Sequence, residues 1–296
     1  MKSKFLAALT VVLCFSAVSS ADILVYEGFE GYYDKGTDRG WSSYKGNPIR
    51  WVNGGDVNGG LGWNGGWLNS GHNPDGIPVH KLSHEKSGVK STGGHFRGGD
   101  FRYRRFDTSS NSSLAKAGLL TADNKVGKVG TSVYMSFFAG FTNTISWRGI
   151  SLFDGNDEKM YIGKAGQQWK VDFSGQVGFT KPGVNISTDA NNPSFIVMKF
   201  TFNAGNTEVE FWLNPNTDNA TLVGSASITG TSNTPIKFDK IRLAGADHSG
   251  DFILDEFRLA TNFKDAVSGV PEPATMLLLA GGGIGLLARR RKRKTA

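Results

Sequence analysis

Phe195-Ile196-Val197-Met198-Lys199-Phe200-Thr201-Phe202, then Asn203-Ala204-Gly205-Asn206, then Thr207-Glu208-Val209-Glu210-Phe211-Trp212-Leu213 is the stretch that decides the fold. Ile196, Met198, Phe200 and Phe202 alternate with Val197, Lys199 and Thr201. Val209, Phe211 and Leu213 alternate with Glu208, Glu210 and Trp212. A period of two belongs to the β-strand, whose successive side chains point to opposite faces. Asn and Gly between the two runs are turn residues. The segment therefore reads as a β-hairpin with one apolar face and one mixed, partly charged face.

Outward from this hairpin, further short strands read at Val133–Phe138, Gly149–Phe153, Met160–Gly163, Trp169–Phe173 and Phe252–Ala260. Gly, Asn and Asp turns separate them, and the 40 glycines are spread through such turns. No Pro/Ser linker, internal repeat or long amphipathic helix interrupts the pattern. The reading is one all-β domain, an antiparallel β-sandwich or jelly roll.

The two ends differ from this middle. Lys2 and Lys4 precede an apolar run, Phe5 to Val18, with small residues at Ser19 and Ala21. That is the pattern of a secretory signal peptide over residues 1–21, for removal by signal peptidase. Cys14, the single cysteine, lies inside it, so the mature chain has no thiol or disulfide chemistry. At the other end stand Pro271-Glu272-Pro273, an uncharged stretch 274–288, and a basic end at 289–294 that includes Arg289, Arg290, Arg291 and Lys292. Prolines cannot continue a helix, so Pro271 and Pro273 hold that element extended. The uncharged stretch spans roughly 22 Å as a helix, marginal against a bilayer core of about 30 Å. The basic end stays cytoplasmic by the positive-inside rule, which puts everything before Pro271 outside.

The three-part tail, residues 270–296, closely resembles the PEP-CTERM sorting tail, the substrate of exosortase in Gram-negative-type bacteria. The resemblance implies recognition at Pro271, Glu272 and Pro273, cleavage nearby by a membrane-embedded cysteine peptidase, and export in a bacterium that makes extracellular polysaccharide. The competing reading is an ordinary C-terminal membrane anchor, with the same topology. The expected domain plan is thus a signal peptide at 1–21, a β-sandwich at 22–263, a linker at 264–269 and the sorting tail at 270–296.

Charge follows the same division. Of 33 Lys and Arg, two lie in the leader and six in the tail; of 26 Asp and Glu, only Glu272 lies in either. The segment between carries 25 of each sign. This argues against a nucleic-acid partner, which would call for a basic excess or patch. Arg102, Arg104 and Arg105 do cluster among Phe101, Tyr103 and Phe106, and read as a strand with alternating faces.

Val25-Tyr26-Glu27-Gly28-Phe29-Glu30, Gly62-Trp63-Asn64-Gly65-Gly66-Trp67, Ser151-Leu152-Phe153-Asp154-Gly155 with Tyr161-Ile162-Gly163-Lys164, and Leu254-Asp255-Glu256-Phe257-Arg258 look like passages of the laminin-G-like, concanavalin A-like jelly rolls. The resemblance implies two curved antiparallel sheets with the first and last strands adjacent. It implies no activity, because the fold hosts lectins, adhesion modules, glycosidases and structural domains.

Trp41, Trp51, Trp63 and Trp67 fall in one Gly- and Asn-rich stretch. Indoles offer flat faces for sugar rings, and they equally serve to bury area and anchor a loop. Trp63 and Trp67, flanked by glycines, are the foremost glycan-stacking candidates. Asp154, Asn156 and Asp157 gather oxygens of the kind calcium prefers, a possible cofactor that the laminin-G-like resemblance also allows. The same Asp-Gly is a hairpin turn signal. Asp247, His248 and Asp251 form a second polar loop.

Asp255 and Glu256 are adjacent, so regular alternation sends them to opposite faces and denies them a shared glycosidic bond. Glu208 and Glu210 share a face on an outward-looking strand, where solvated charge is ordinary. The Glu-x-Asp-x-x-Glu strand of concanavalin-like glycosidases is absent, and so are a nucleophile elbow and a phosphate loop. His72, His80, His84, His95 and His248 show no metal spacing. The expected function is a non-enzymatic, exported surface or matrix protein with a structural or carbohydrate-binding sandwich. A polysaccharide-degrading enzyme and a protein-binding adhesin are the alternatives.

Overall fold

The computed structural model describes residues 23–29, 32, 37–38, 50–52, 59–69, 77–81, 85–86, 88–91, 94–98, 101–141, 148–165, 168–173, 192–215, 228–245 and 252–267. The leader, the sorting tail, Trp41 and the loop with Asp247, His248 and Asp251 lie outside these residues. Among the described residues, no helix is long and apolar enough to cross a membrane.

The strands are β1 (Ile23–Glu27), β2 (Thr37–Asp38), β3 (Arg50–Val52), β4 (Trp63–Asn69), β5 (Ile77–Lys81), β6 (Glu85–Lys86), β7 (Val89–Lys90), β8 (Gly94–Gly98) and β9 (Arg102–Phe106). After helix α1 (Ser113–Lys116) come β10 (Thr131–Phe141), β11 (Arg148–Asp154), β12 (Asp157–Ala165), β13 (Gln168–Phe173), β14 (Ser194–Phe202) and β15 (Thr207–Leu213). Strands β16 (Ile228–Thr231), β17 (Lys240–Gly245) and β18 (Phe252–Ala260) and helix α2 (Phe263–Val267) complete the domain.

Two antiparallel sheets form a β-sandwich. The larger runs β16-β15-β14-β10-β18-β8-β5-β3-β2, with β1 also on β18; the smaller runs β13-β12-β11-β17-β9-β4. The first strand thus pairs with the last, Glu27 opposite Phe257. Tyr26 also exchanges backbone bonds with Leu61, N to O 3.0 Å and O to N 3.1 Å, which stitches β1 to the approach of β4 in the other sheet.

The deciding hairpin forms as its alternation dictates. Strands β14 and β15 pair with Ile196 opposite Leu213 and Phe202 opposite Thr207. Ile196, Met198, Phe200, Phe202, Val209 and Phe211 enter the core between the sheets, where Ile150, Leu152, Ile162, Val171, Ile241 and Leu243 of the smaller sheet meet them. Each such side chain contributes about 1.5–3 kcal/mol by leaving water.

The other face of the larger sheet holds a second apolar cluster: Phe138, Phe195, Val197, Trp212, Val89, Phe263 and Val267. Helix α2 supplies two of these residues. Asn262 starts that helix, its Oδ1 accepting from the Asp265 N–H at 2.9 Å. Ser136 Oγ and Arg258 Nη1 both donate to the Ala266 carbonyl, which ties the helix to β10 and β18. The expected linker at 264–269 is therefore corrected for its described part. Residues 264–267 belong to the folded domain, because the apolar outer face needs a cover.

Regular alternation also fails at one place in β18. The pairing with β10 shifts between Ser136 and Phe138, which stand opposite Arg258 and Asp255, and Glu256 has φ 51°. This β-bulge turns the Glu256 carboxylate to the Arg258 side, where it accepts from Arg258 Nη2, and from Tyr26 Oη at 3.2 Å. Asp255 and Glu256 are both buried, and the charge of Glu256 joins desolvation in raising Asp255 well above the usual carboxylate range. The expected separation of the two carboxyls onto opposite faces is overturned by this one extra residue.

Candidate functional site

Strand β9 carries the first surprise. Its alternation holds, but its inward face is Arg102, Arg104 and Phe106, with Phe101, Tyr103 and Arg105 outward. Arg104 is fully buried and is satisfied on three sides. It donates from Nε to the Gly65 carbonyl at 2.8 Å, from Nη2 to the Gly59 carbonyl at 2.7 Å, and from Nη1 to Glu27. Glu27, 1% exposed, also accepts from the Phe29 N–H at 3.0 Å and from the Trp67 indole N–H at 3.1 Å. Burial outweighs the pull of Arg104 and pushes the Glu27 carboxyl up to about 7.

This pair settles the two foremost tryptophans. Trp67 is 1% exposed, its ring stacked on Phe29 at 5.9 Å. Trp63 donates its indole N–H to the Tyr26 carbonyl at 2.8 Å, stacks on Phe106 at 5.1 Å, and lies under the Arg104 guanidinium at 4.8 Å. The glycan-stacking expectation is corrected for Trp67, whose faces are enclosed, and Trp63 packs against the same core. Both are anchors of β4, because a large indole with one polar edge fits where a sheet closes over a buried ion pair. The backbone of Trp51 lies in β3, and Trp41 lies outside the described residues.

The residues proposed for calcium form a turn. Asp154 and Asp157 are opposite one another at the end of the β11–β12 hairpin, and Gly155 takes φ 61°, a conformation that favours glycine. Asp154 is held by Lys125 at 3.2 Å and Lys237 at 3.8 Å, and Asp157 by Lys159 at 3.6 Å. Among the described residues, no group of three His, Cys, Asp or Glu is placed to hold a metal ion. Glu210 pairs with Lys199 at 3.1 Å on the outer face of β15, as solvated charge does.

The outer face of the smaller sheet collects aromatic and cationic side chains, buried at its middle (Ser151, Phe153, Tyr161, Lys240) and open at its β4–β9 end (Asn64, Leu68, Tyr103, Arg105). Backbone register aligns them in two rows across the strands. One row reads Leu68, Tyr103, Arg242, Ser151, Tyr161, Asp172 from β4 to β13. The neighbouring row reads Asn64, Arg105, Lys240, Phe153, Glu158. Six strands at about 4.8 Å make the longer row roughly 24 Å, and the rows lie about 6.6 Å apart.

Within the rows, cations lie flat on rings. The Arg242 guanidinium stands 4.6 Å from the Phe153 centroid and 5.0 Å from that of Phe101. Lys240 Nζ stands 4.9 Å from the Phe153 centroid and 5.2 Å from that of Tyr103. Such contacts strengthen as water is excluded. Arg242 is also paired with Glu158 and donates to Ser151 Oγ at 3.3 Å. Tyr161 donates its hydroxyl to the Arg148 carbonyl at 2.6 Å, and its ionisation is pushed far up by burial. Sequence reasoning missed this surface. The alternation Lys240-Ile241-Arg242-Leu243 marks two cations on one face, but only the β9–β17 pairing brings them to Tyr103 and Arg105.

The fold defines an antiparallel β-sandwich protein. The chain carries a PEP-CTERM protein-sorting motif at residues 269–292, which implies export and processing at the membrane. A search of curated protein sequences finds no match. Among solved structures, the chain is similar to the binding domain of botulinum neurotoxin DC in complex with SialylT (13% identity, 83% of this chain and 50% of that one, TM-score 0.34). It is also similar to an alginate lyase from Corynebacterium sp. (13% identity, 57% and 77%, TM-score 0.34) and to the Caenorhabditis elegans galectin LEC-6 (12% identity, 46% and 89%, TM-score 0.26). The chain spans half the length of the neurotoxin domain, and what those proteins bind is theirs.

Proposed function

We propose that this chain is a non-catalytic surface or extracellular-matrix protein of a Gram-negative-type bacterium, trimmed near Pro271 by an exosortase-type peptidase, whose sandwich binds polysaccharide. The observation that carries the binding reading is the open β4–β9 end of the cross-strand rows. Half-buried Phe101 and Tyr103 offer ring edges and faces there, exposed Leu68 an apolar contact, and Arg105 and Asn64 polar groups around them. This combination meets the two needs of a shallow glycan site, apolar contact with ring C–H groups and hydrogen bonds to hydroxyls.

The non-catalytic reading is supported by the acids of the described part of this face: Glu158 and Asp239 are engaged by cations, and the open acids Asp172 and Glu208 stand on different sheets. A glycosidase or lyase needs acids or bases open to substrate. A glycan array with the exported chain and the Phe101→Ala/Tyr103→Ala double variant tests the reading. Binding by the native chain that the double variant loses is expected. Turnover of any bound glycan would contradict it, and binding to none would leave a purely structural role. Mass spectrometry of the mature C-terminus tests the processing; an intact Lys294 in the membrane fraction would count against it.

A further inference from the structure

Lys240 differs from every neighbouring cation on the smaller sheet. Arg242 is engaged by Glu158, Lys125 by Asp239 at 2.8 Å and Asp154 at 3.2 Å, and Arg105 by Asp239 at 3.3 Å. Lys240 is 8% exposed, and among the described residues no carboxylate or carbonyl accepts from its ammonium. It rests only on the rings of Tyr103 and Phe153. The adjacent acid, Asp239, is turned to other donors: Oδ2 takes Lys125 and Arg105, and Oδ1 takes the Gly155 N–H at 2.9 Å.

The Lys240 side chain is buried along its stem while its ammonium reaches the sheet surface between two rings, partly stripped of water and free to take an anion. Desolvation lowers its proton affinity, and the charges of Arg105 and Arg242 lower it further. An anion docking there would meet two cations side by side, and the flanking charges define where it sits. Arg105 is directly opposite Lys240 in the register, and Arg242 is two residues along β17.

We infer that Lys240, with Arg105 beside it and Tyr103 at its side, is a binding site for the carboxylate or sulfate of an acidic polysaccharide lying across the β4–β9 end of the smaller sheet. The inference rests on the polysaccharide reading above and names its chemical class. The sparse pattern of charge favours a sugar polymer over a polyphosphate. A local pair of cations on a domain with balanced charge suits a polymer with one anion per ring, whereas nucleic acid calls for a broad basic field. The aromatic neighbours favour a sugar over an acidic peptide, because Tyr103 and the 48%-exposed Leu68 opposite it extend a flat apolar track from the charge to the sheet edge.

The test is equilibrium binding of the full exported chain to a polyuronate, a sulfated glycan, a neutral glucan, single-stranded DNA and polyglutamate, each at about 50 and 200 mM salt. The variants are Lys240→Met, which keeps the stem and removes the charge, and Arg105→Gln, an exposed position that should fold normally. Native chain is expected to bind the polyuronate or the sulfated glycan above the others and to weaken with salt. Lys240→Met is expected to lose about tenfold or more in that affinity, with unchanged neutral-glucan binding; Arg105→Gln is expected to lose less. If both variants match native chain on the acidic polymers, the site is overturned while glycan binding by this face stands. If only the neutral glucan binds, the acidic class is overturned. If DNA or polyglutamate binds as tightly, the polymer assignment is overturned. If nothing binds, both readings fall together.

Discussion

At the residue scale, the buried Glu27–Arg104 pair dictates what β4 and β9 can do. The carboxylate and the guanidinium each have several partners, and the pair holds Trp67 by its indole edge. Removing one partner leaves the other charge enclosed. Arg104→Ala is expected to cost about 3–5 kcal/mol in denaturant unfolding, with Glu27 stranded. Trp67→Phe keeps the stacking on Phe29 but removes one donor, and a smaller loss of about 1–3 kcal/mol should appear in the same measurement. Gly163 and Gly149 face one another across β11 and β12, where a Cβ at Gly163 would come 2.2 Å from the Arg148 carbonyl oxygen. Gly163→Ala should therefore destabilise by about 1–3 kcal/mol or more, read as a lowered melting temperature. From the sequence, Trp63 and Trp67 between their glycines fitted either a glycan-stacking loop or buried anchors. The Trp types were legible; their burial was not, because it depends on an arginine and a glutamate that lie 77 positions apart.

At the element scale, the hairpin of β14 and β15 was readable in full, since alternation and turn chemistry are local. The inward set and the outward set both stand where the period of two puts them. The bulge in β18 was not readable. Glu256 takes a left-handed conformation that its type does not favour, and the Arg258, Tyr26 and Asp255 contacts that hold it come partly from a strand at the far end of the chain. Helix α2 was read as a linker because five residues carry too little periodicity to announce a helix. Its worth lies in covering Phe138, Phe195 and Trp212. A chain ending at Thr261 should melt lower and bind more of an apolar dye than one ending at Ser268. Equal melting of the two would show that α2 covers nothing of consequence.

At the scale of the whole molecule, titration links the sites. Glu27 carries its proton up to about 7 in the folded chain, against an ordinary 4.5. Between those values the folded state holds a proton that the unfolded state has released, so stability is full below the lower value and declines as pH rises through the higher. Asp255 acts with the same sign. Asp123 acts oppositely: its bond to Lys237 lowers it to about 2 from 3.8, and that contribution is lost as pH falls. The melting temperature is therefore expected to peak near pH 4–5 and to fall toward pH 8. Glu27→Gln, which cannot titrate, should flatten the decline between about 4.5 and 7 in a pH series of thermal melts.

The sequence by itself determined the antiparallel β-sandwich and the sorting motif at the end of the chain. Each rests on local pattern: alternation of two, turn residues, and a contiguous proline, apolar and basic order; the adjacency of first and last strands came only from the jelly-roll resemblance. Tertiary structure alone decided which aromatics are anchors, where the carboxyls of β18 point, and which cation lacks a partner. Those outcomes depend on register between strands far apart in the chain. Tyr103 meets Arg242, and Arg105 meets Lys240, only when β9 and β17 pair. No pattern within either segment encodes that meeting, because a strand's period says which residues share a face and not which strand will lie beside it.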